Sequence, residues 1–95
     1  MIECVATDLA ERLRQLRERA GLSQRALSLL AGLSPSEVRL LESRERLDPR
    51  ARVLVSLART LGVSADYLLD GRGEPPSPEL MASAIHAARE RKEAA

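Results

Sequence analysis

Between Ser23 and Ser43 a helix start, a helix stop and a second start follow one another within a few residues, and this punctuation constrains the chain more than any other feature. Ser23 is a suitable N-cap for a short helix running to about Ala31, where Gly32 supplies a residue tolerant of positive φ. Ser34-Pro35-Ser36-Glu37 then spells a complete capping box. It has serine at the cap, proline at the first helical position where its missing N–H is harmless, and glutamate three residues after the cap. The spacing predicts a further helix from Ser34 to about Ser43, with Val38 and Leu41 turned inward. Two short helices joined by a tight glycine turn make a helix-turn-helix. Its sharp crossing needs a small residue inside the first helix, and Ser28 stands there. Leu27, Ala31, Leu33, Val38 and Leu41 fall where buried contacts must hold the two helices at their angle.

The flanks use the same grammar. Leu9, Leu13, Leu16 and Ala20 recur at helical spacing between Glu11, Arg12, Arg14, Arg17 and Glu18, giving an amphipathic helix over about 8–20 that Gly21 stops. Asp48-Pro49 repeats the cap-plus-proline device and opens a helix with Leu54, Leu57, Ala58 and Leu61 inward, closed by Gly62. Ser64 caps a short fifth helix through Leu68 and Leu69, where Tyr67 closes the core. These five helices delimit a domain over 8–72, followed by a Gly- and Pro-rich linker over 73–78. Beyond it Leu80, Met81, Ala84, Ile85 and Ala88 share one face of a final helix over 79–93, with Ser77 and Pro78 at its start. Such a helix is too short to persist alone in water, so it packs back, pairs with another copy or melts. Leu29 and Leu30 cannot both face the core if Leu27 and Ala31 do, and are open to cover by Ile2 and Val5 or by the final helix.

Composition agrees with helices only. Apolar residues make up 44% of the chain, and Tyr67 is the sole aromatic, so the core is aliphatic and strand formers are scarce. The expected fold class is all-α: a five-helix helix-turn-helix domain plus a C-terminal amphipathic helix. Net charge is only +1, but it is unevenly spread: eleven Arg face five acids from Arg12 to Arg59, and both ends are net acidic. That distribution suits an anion-binding middle, or alternatively ordinary solvated helix faces. Cys4 is a lone thiol, no signal peptide is evident, and no apolar stretch approaches the ~18 residues of a membrane span. A cytoplasmic location without membrane attachment is expected. With one His, His86 on a solvated tail face, one Cys, no glycine-rich phosphate loop and no metal-spaced cluster, the sequence holds no catalytic constellation. Neither an enzyme nor a cofactor or metal is expected.

The stretch Leu22-Ser23-Gln24, Gly32-Leu33-Ser34, Glu42, Pro49, Leu57-Ala58, Leu61-Gly62-Val63-Ser64 and Leu68-Leu69 resembles the XRE/Cro-type helix-turn-helix family of lambdoid phage repressors and bacterial regulators. The resemblance covers roughly residues 9–72. It implies a lambda-repressor-like domain that lays its third helix in the major groove of duplex DNA, usually as a homodimer on an inverted-repeat operator. With no ligand-sensing domain, the role it implies is that of a transcriptional repressor or autoregulator.

By the same resemblance Gln24 is a phosphate contact, and Pro35, Ser36, Arg39 and Leu40 fall where base-reading residues sit. A capped helix start at Ser34 offers N–H groups to a phosphate or base edge. Ser36 bonds several base edges, Arg39 suits guanine or phosphate, and Leu40 suits a thymine methyl or a protein contact. Ser43 ends the reading helix, and Arg44, Arg46 and Arg50 lie in the following loop and helix start, where the family touches backbone or minor groove. The sequence departs from the family at four positions. Pro35, Glu37 and Leu40 stand where Gln, Arg, Asn or Thr are frequent, and Glu37 reads better as the capping-box carboxylate than as a cytosine contact. Arg44 replaces a common glycine, which calls for a left-handed arginine. These departures motivate a rival reading, a protein-interaction module on the same fold, such as an antitoxin-like or adaptor subunit with a protein partner.

Overall fold

Residues 8–94 are described by the computed structural model, and they form six helices without a strand. In order these are α1 (Leu9–Arg19), α2 (Gln24–Leu30), α3 (Glu37–Glu42), α4 (Ala51–Leu61), α5 (Ala65–Asp70) and α6 (Pro78–Ala94). The expectations that rest on Ile2, Cys4 and Val5 lie outside the described residues. Among the described residues no helix is long and apolar enough to cross a membrane, and no group of His, Cys, Asp and Glu could hold a metal ion.

The aliphatic stripes of the helices meet in one core. Leu13 and Leu16 of α1, Leu27 of α2, Val38 and Leu41 of α3, Leu57 and Leu61 of α4 and Leu68 of α5 are all buried in it. A leucine removed from water in this way stabilises the fold by about 1.5–3 kcal/mol, so this cluster fixes the mutual placement of the short helices, which have little stability alone. Arg12, expected on the solvated side of α1, is buried instead. Its Nε donates to the Leu68 carbonyl at 3.0 Å, capping the end of α5 with a cation.

Two helix starts differ from the sequence expectation. The third helix begins at Glu37 rather than Ser34: Pro35 and Ser36 form a turn in which the Glu37 N–H donates to the Ser34 carbonyl at 3.1 Å, and Ser36 makes no side-chain cap. The fourth begins at Ala51, with Arg50 and not Asp48 at its cap position. The caps at Ser23 and Ser64 are formed, accepting from the N–H of Ala26 and Tyr67 at 3.0 Å each.

Of the outcomes open to the final helix, the structure has it folded back. α6 lies against α4 and α2 and buries Met81, Ile85 and Ala88, and Pro76 in the preceding segment is buried as well. At Gly62, whose φ of +78° closes α4, α6 leaves no room for a side chain: a Cβ built there would stand 3.1 Å from the Ala84 Cβ and 3.2 Å from the Leu80 carbonyl oxygen.

Asp8 serves two partners at the start of α1. Its carboxylate accepts from the Glu11 N–H at 3.0 Å and from Arg44 Nε at 2.9 Å, tying the loop after α3 to the first helix. The Arg44 hydrogen bond, followed by that from Glu11, holds the Asp8 carboxyl below its ordinary value. A depressed carboxyl contributes stability above the ordinary aspartate range, and that contribution is lost as pH falls through the lowered folded value. An NMR titration is expected to find Asp8 below the usual aspartate range and Arg44→Ala to bring it partway back; an unchanged value would show that the ion pair is absent in solution.

Candidate nucleic-acid interface

α2 and α3 are joined by a hydrogen bond as well as by packing. Ser28 is wholly buried inside α2; its hydroxyl donates to the Gln24 carbonyl at 2.9 Å and accepts from the Val38 N–H at 3.0 Å. The first free N–H groups of a helix normally need a local cap; here one is satisfied by the neighbouring helix. Between them Gly32 adopts φ +77°, and the Leu33 N–H returns to the Ser28 carbonyl at 2.8 Å. Ser28→Ala is expected to destabilise the fold by about 1–3 kcal/mol, because it leaves a buried N–H without an acceptor. Hydrogen exchange at the Val38 amide should quicken more than at other core amides, and uniform quickening would count against this bond as the local clamp.

A second junction holds α3 against α1 and α2. Glu42, whose side chain is 4% exposed, accepts from Arg17 Nε at 2.6 Å, from the Arg17 terminal nitrogen at 3.0 Å and from Gln24 Nε2 at 2.9 Å. Arg17 also donates to the Leu22 carbonyl at 2.9 Å. The hydrogen bond to Glu42 pushes the Arg17 guanidinium above its ordinary value against the opposing effect of burial. Gln24 is therefore half-buried at the α2 start with its amide nitrogen committed to Glu42. The positioning role of Arg17 and Glu42 was not apparent in the sequence, where Arg17 reads as one of several charges on a solvated face.

The remaining expected site residues lie on α3 and the segments beside it. Ser34 and Pro35 are exposed in the turn, with Ser36 half-buried. Arg39 is exposed and Leu40 half-buried on the outward side of α3, opposite Val38 and Leu41. The Ser43 hydroxyl lies 3.1 Å from both the Leu40 carbonyl and Glu45 Oε2. Arg44 has φ +66°, the left-handed conformation its position calls for. The Glu37 carboxylate, expected to close a capping box, is spent on Arg46 at 3.3 Å. Arg39 pairs with Glu45 at 3.5 Å and Arg44 with Asp8 at 2.9 Å. Arg50 and its neighbour Arg52 are exposed and have no carboxylate partner among the described residues. Guanidinium groups and carboxylates thus alternate around the outward side of α3, and the loop that leads to α4 ends in unneutralised positive charge.

This arrangement can hold the phosphates of a duplex with cations from several segments while a short helix presents polar and apolar side chains between them. A family model described as a helix-turn-helix domain matches residues 10–74, which takes in α1 to α5 and leaves α6 outside. No curated protein and no solved structure matches the chain.

Proposed function

Because the chain belongs to the XRE/Cro-type helix-turn-helix family, we propose that it is a sequence-specific transcriptional regulator, a repressor or autoregulator, that inserts α3 into the major groove of an inverted-repeat operator as a homodimer. Family membership carries DNA binding at the general level. The finer reading rests on one observation: α3 is pinned from behind by Ser28 and, through its Glu42, by Arg17 and Gln24, and it turns Arg39 and Leu40 outward beside Ser43 and the Arg44–Arg50 segment. In this reading Ser36, Arg39 and Leu40 meet base edges, Pro35 packs beside them, and Ser34, Ser43, Arg44, Arg46 and Arg50 take phosphates or sugar. The Gln24 amide nitrogen donates to Glu42 at 2.9 Å, so in this reading Gln24 acts by holding Glu42 as much as by touching phosphate.

Gel-shift titration on fragments selected from random duplex tests the proposal. Affinity is expected to fall steeply with salt, because each phosphate contact releases counterions. Arg39→Ala should weaken binding to the selected site by about 1–3 kcal/mol and to random duplex by less, whereas Arg50→Ala should weaken both alike. Salt-independent binding would refute the reading. Three of the arginines on this surface are held by the chain's own carboxylates, which favours the rival protein-interaction reading to that extent. Co-purification of a stable partner, with no retardation of any genomic fragment, would establish that rival.

A further inference from the structure

Behind the reading surface, α2, α4 and α6 leave a groove of about 340 Å³ between them. Its apolar lining comes from Leu29 and Leu30 at the C-terminal end of α2 and Ala88 of α6; the two leucines are only half-buried, so α6 covers them incompletely. Its basic groups come from Arg59, in the last turn of α4, and from Arg91 and Lys92, in the last turn of α6. No carboxylate lines the groove, and none of these three cations has an ion-pair partner among the described residues. Glu90, next to Arg91 in the sequence, lies 3.2 Å from His86 Nε2.

Cations in the last turn of a helix complement its dipole, which accounts for one basic residue at each helix end. It does not account for three of them lining one apolar cleft with no acid among the lining residues. Small-molecule sites begin at volumes of about 300 Å³ and combine an apolar lining with a few convergent polar groups, and this groove meets both conditions.

The geometry points to a binding site for a small amphipathic carboxylate, with its acyl chain laid on Leu29 and Leu30 over the buried Ala88 and its head group held by Arg59, Arg91 and Lys92. Guanidinium groups suit the head because they bond a planar carboxylate with two parallel donors. The Thr60 hydroxyl at the groove takes no part, since it already donates to the Ser56 carbonyl at 2.8 Å.

The full chain titrated with decanoate, followed by calorimetry and methyl NMR, tests the site. Saturable binding is expected, with shifts concentrated on the methyl groups of Leu29, Leu30 and Ala88. Decanol, with the tail and no charge, and acetate, with the head and no tail, should each bind more weakly by about tenfold or more. Arg59→Glu and, separately, Arg91→Glu change exposed residues, so the fold is retained and a melting curve verifies it. Each should weaken decanoate by about tenfold or more and leave decanol unaffected. Non-saturable binding, shifts centred on other methyl groups, equal affinity for decanol, or undiminished decanoate binding by both variants would overturn the assignment.

Discussion

Glu42→Ala is expected to lower the stability of the fold by about 3–5 kcal/mol, the usual consequence of leaving one member of a buried ion pair without its partner. The Glu42 side chain is almost wholly enclosed and Arg17 is 12% exposed, so removing the carboxylate leaves the guanidinium largely enclosed without its main partner. For a domain of this size the loss corresponds to a fall in melting temperature on the order of 15 °C or more. Glu42→Gln keeps the shape and some hydrogen bonds and should fall between the two. The double variant Arg17→Met/Glu42→Leu should recover much of the loss, since well-packed apolar residues often replace such a pair without penalty. Urea unfolding of the set checks this. A single variant that costs below about 1 kcal/mol would mean that the pair behaves as an exposed one.

Gly62→Ala should be the next most damaging, at about 2–4 kcal/mol. About 1–2 of this is the penalty for placing a Cβ on a left-handed residue. The remainder is collision, because the new methyl group would sit 3.1 Å from the Ala84 Cβ and 3.2 Å from the Leu80 carbonyl. Gly32 provides the control: its φ is nearly the same, +77°, and a Cβ there meets nothing within 4 Å. Gly32→Ala should therefore show the conformational penalty alone, and the difference between the two variants measures how firmly α6 is held on α4. Equal losses would mean that α6 moves aside freely.

The parts of this molecule that local chemistry specifies were legible in the sequence. The caps at Ser23 and Ser64, the closing glycines and the leucine stripes depend on residues a few positions apart, and the structure has them. Ser34-Pro35-Ser36-Glu37 shows where that reasoning fails. Every residue of a capping box is present, yet the helix starts later, because the Val38 N–H is satisfied by Ser28 from α2 and the Glu37 carboxylate by Arg46. Tertiary partners displaced the local ones. The Arg17–Glu42–Gln24 junction was hidden for the same reason: its members are 18 and 25 residues apart, and nothing in the local pattern marks them as neighbours. Ser28 was legible as the small residue a tight crossing requires; its hydroxyl's second role, as an acceptor for another helix, needs the angle between α2 and α3 to be known.

The brevity of α3 sets a limit on what one copy of the chain can discriminate. Its six residues rise about 9 Å, whereas three base-pair steps of B-form DNA already occupy about 10 Å. On the proposed reading a single copy interrogates about three base pairs through this helix. The rest of an operator's information then lies in length and stiffness, that is, in the spacing at which a second copy finds its own half-site and in how readily the intervening duplex bends. Such a protein is as much a ruler as a reader.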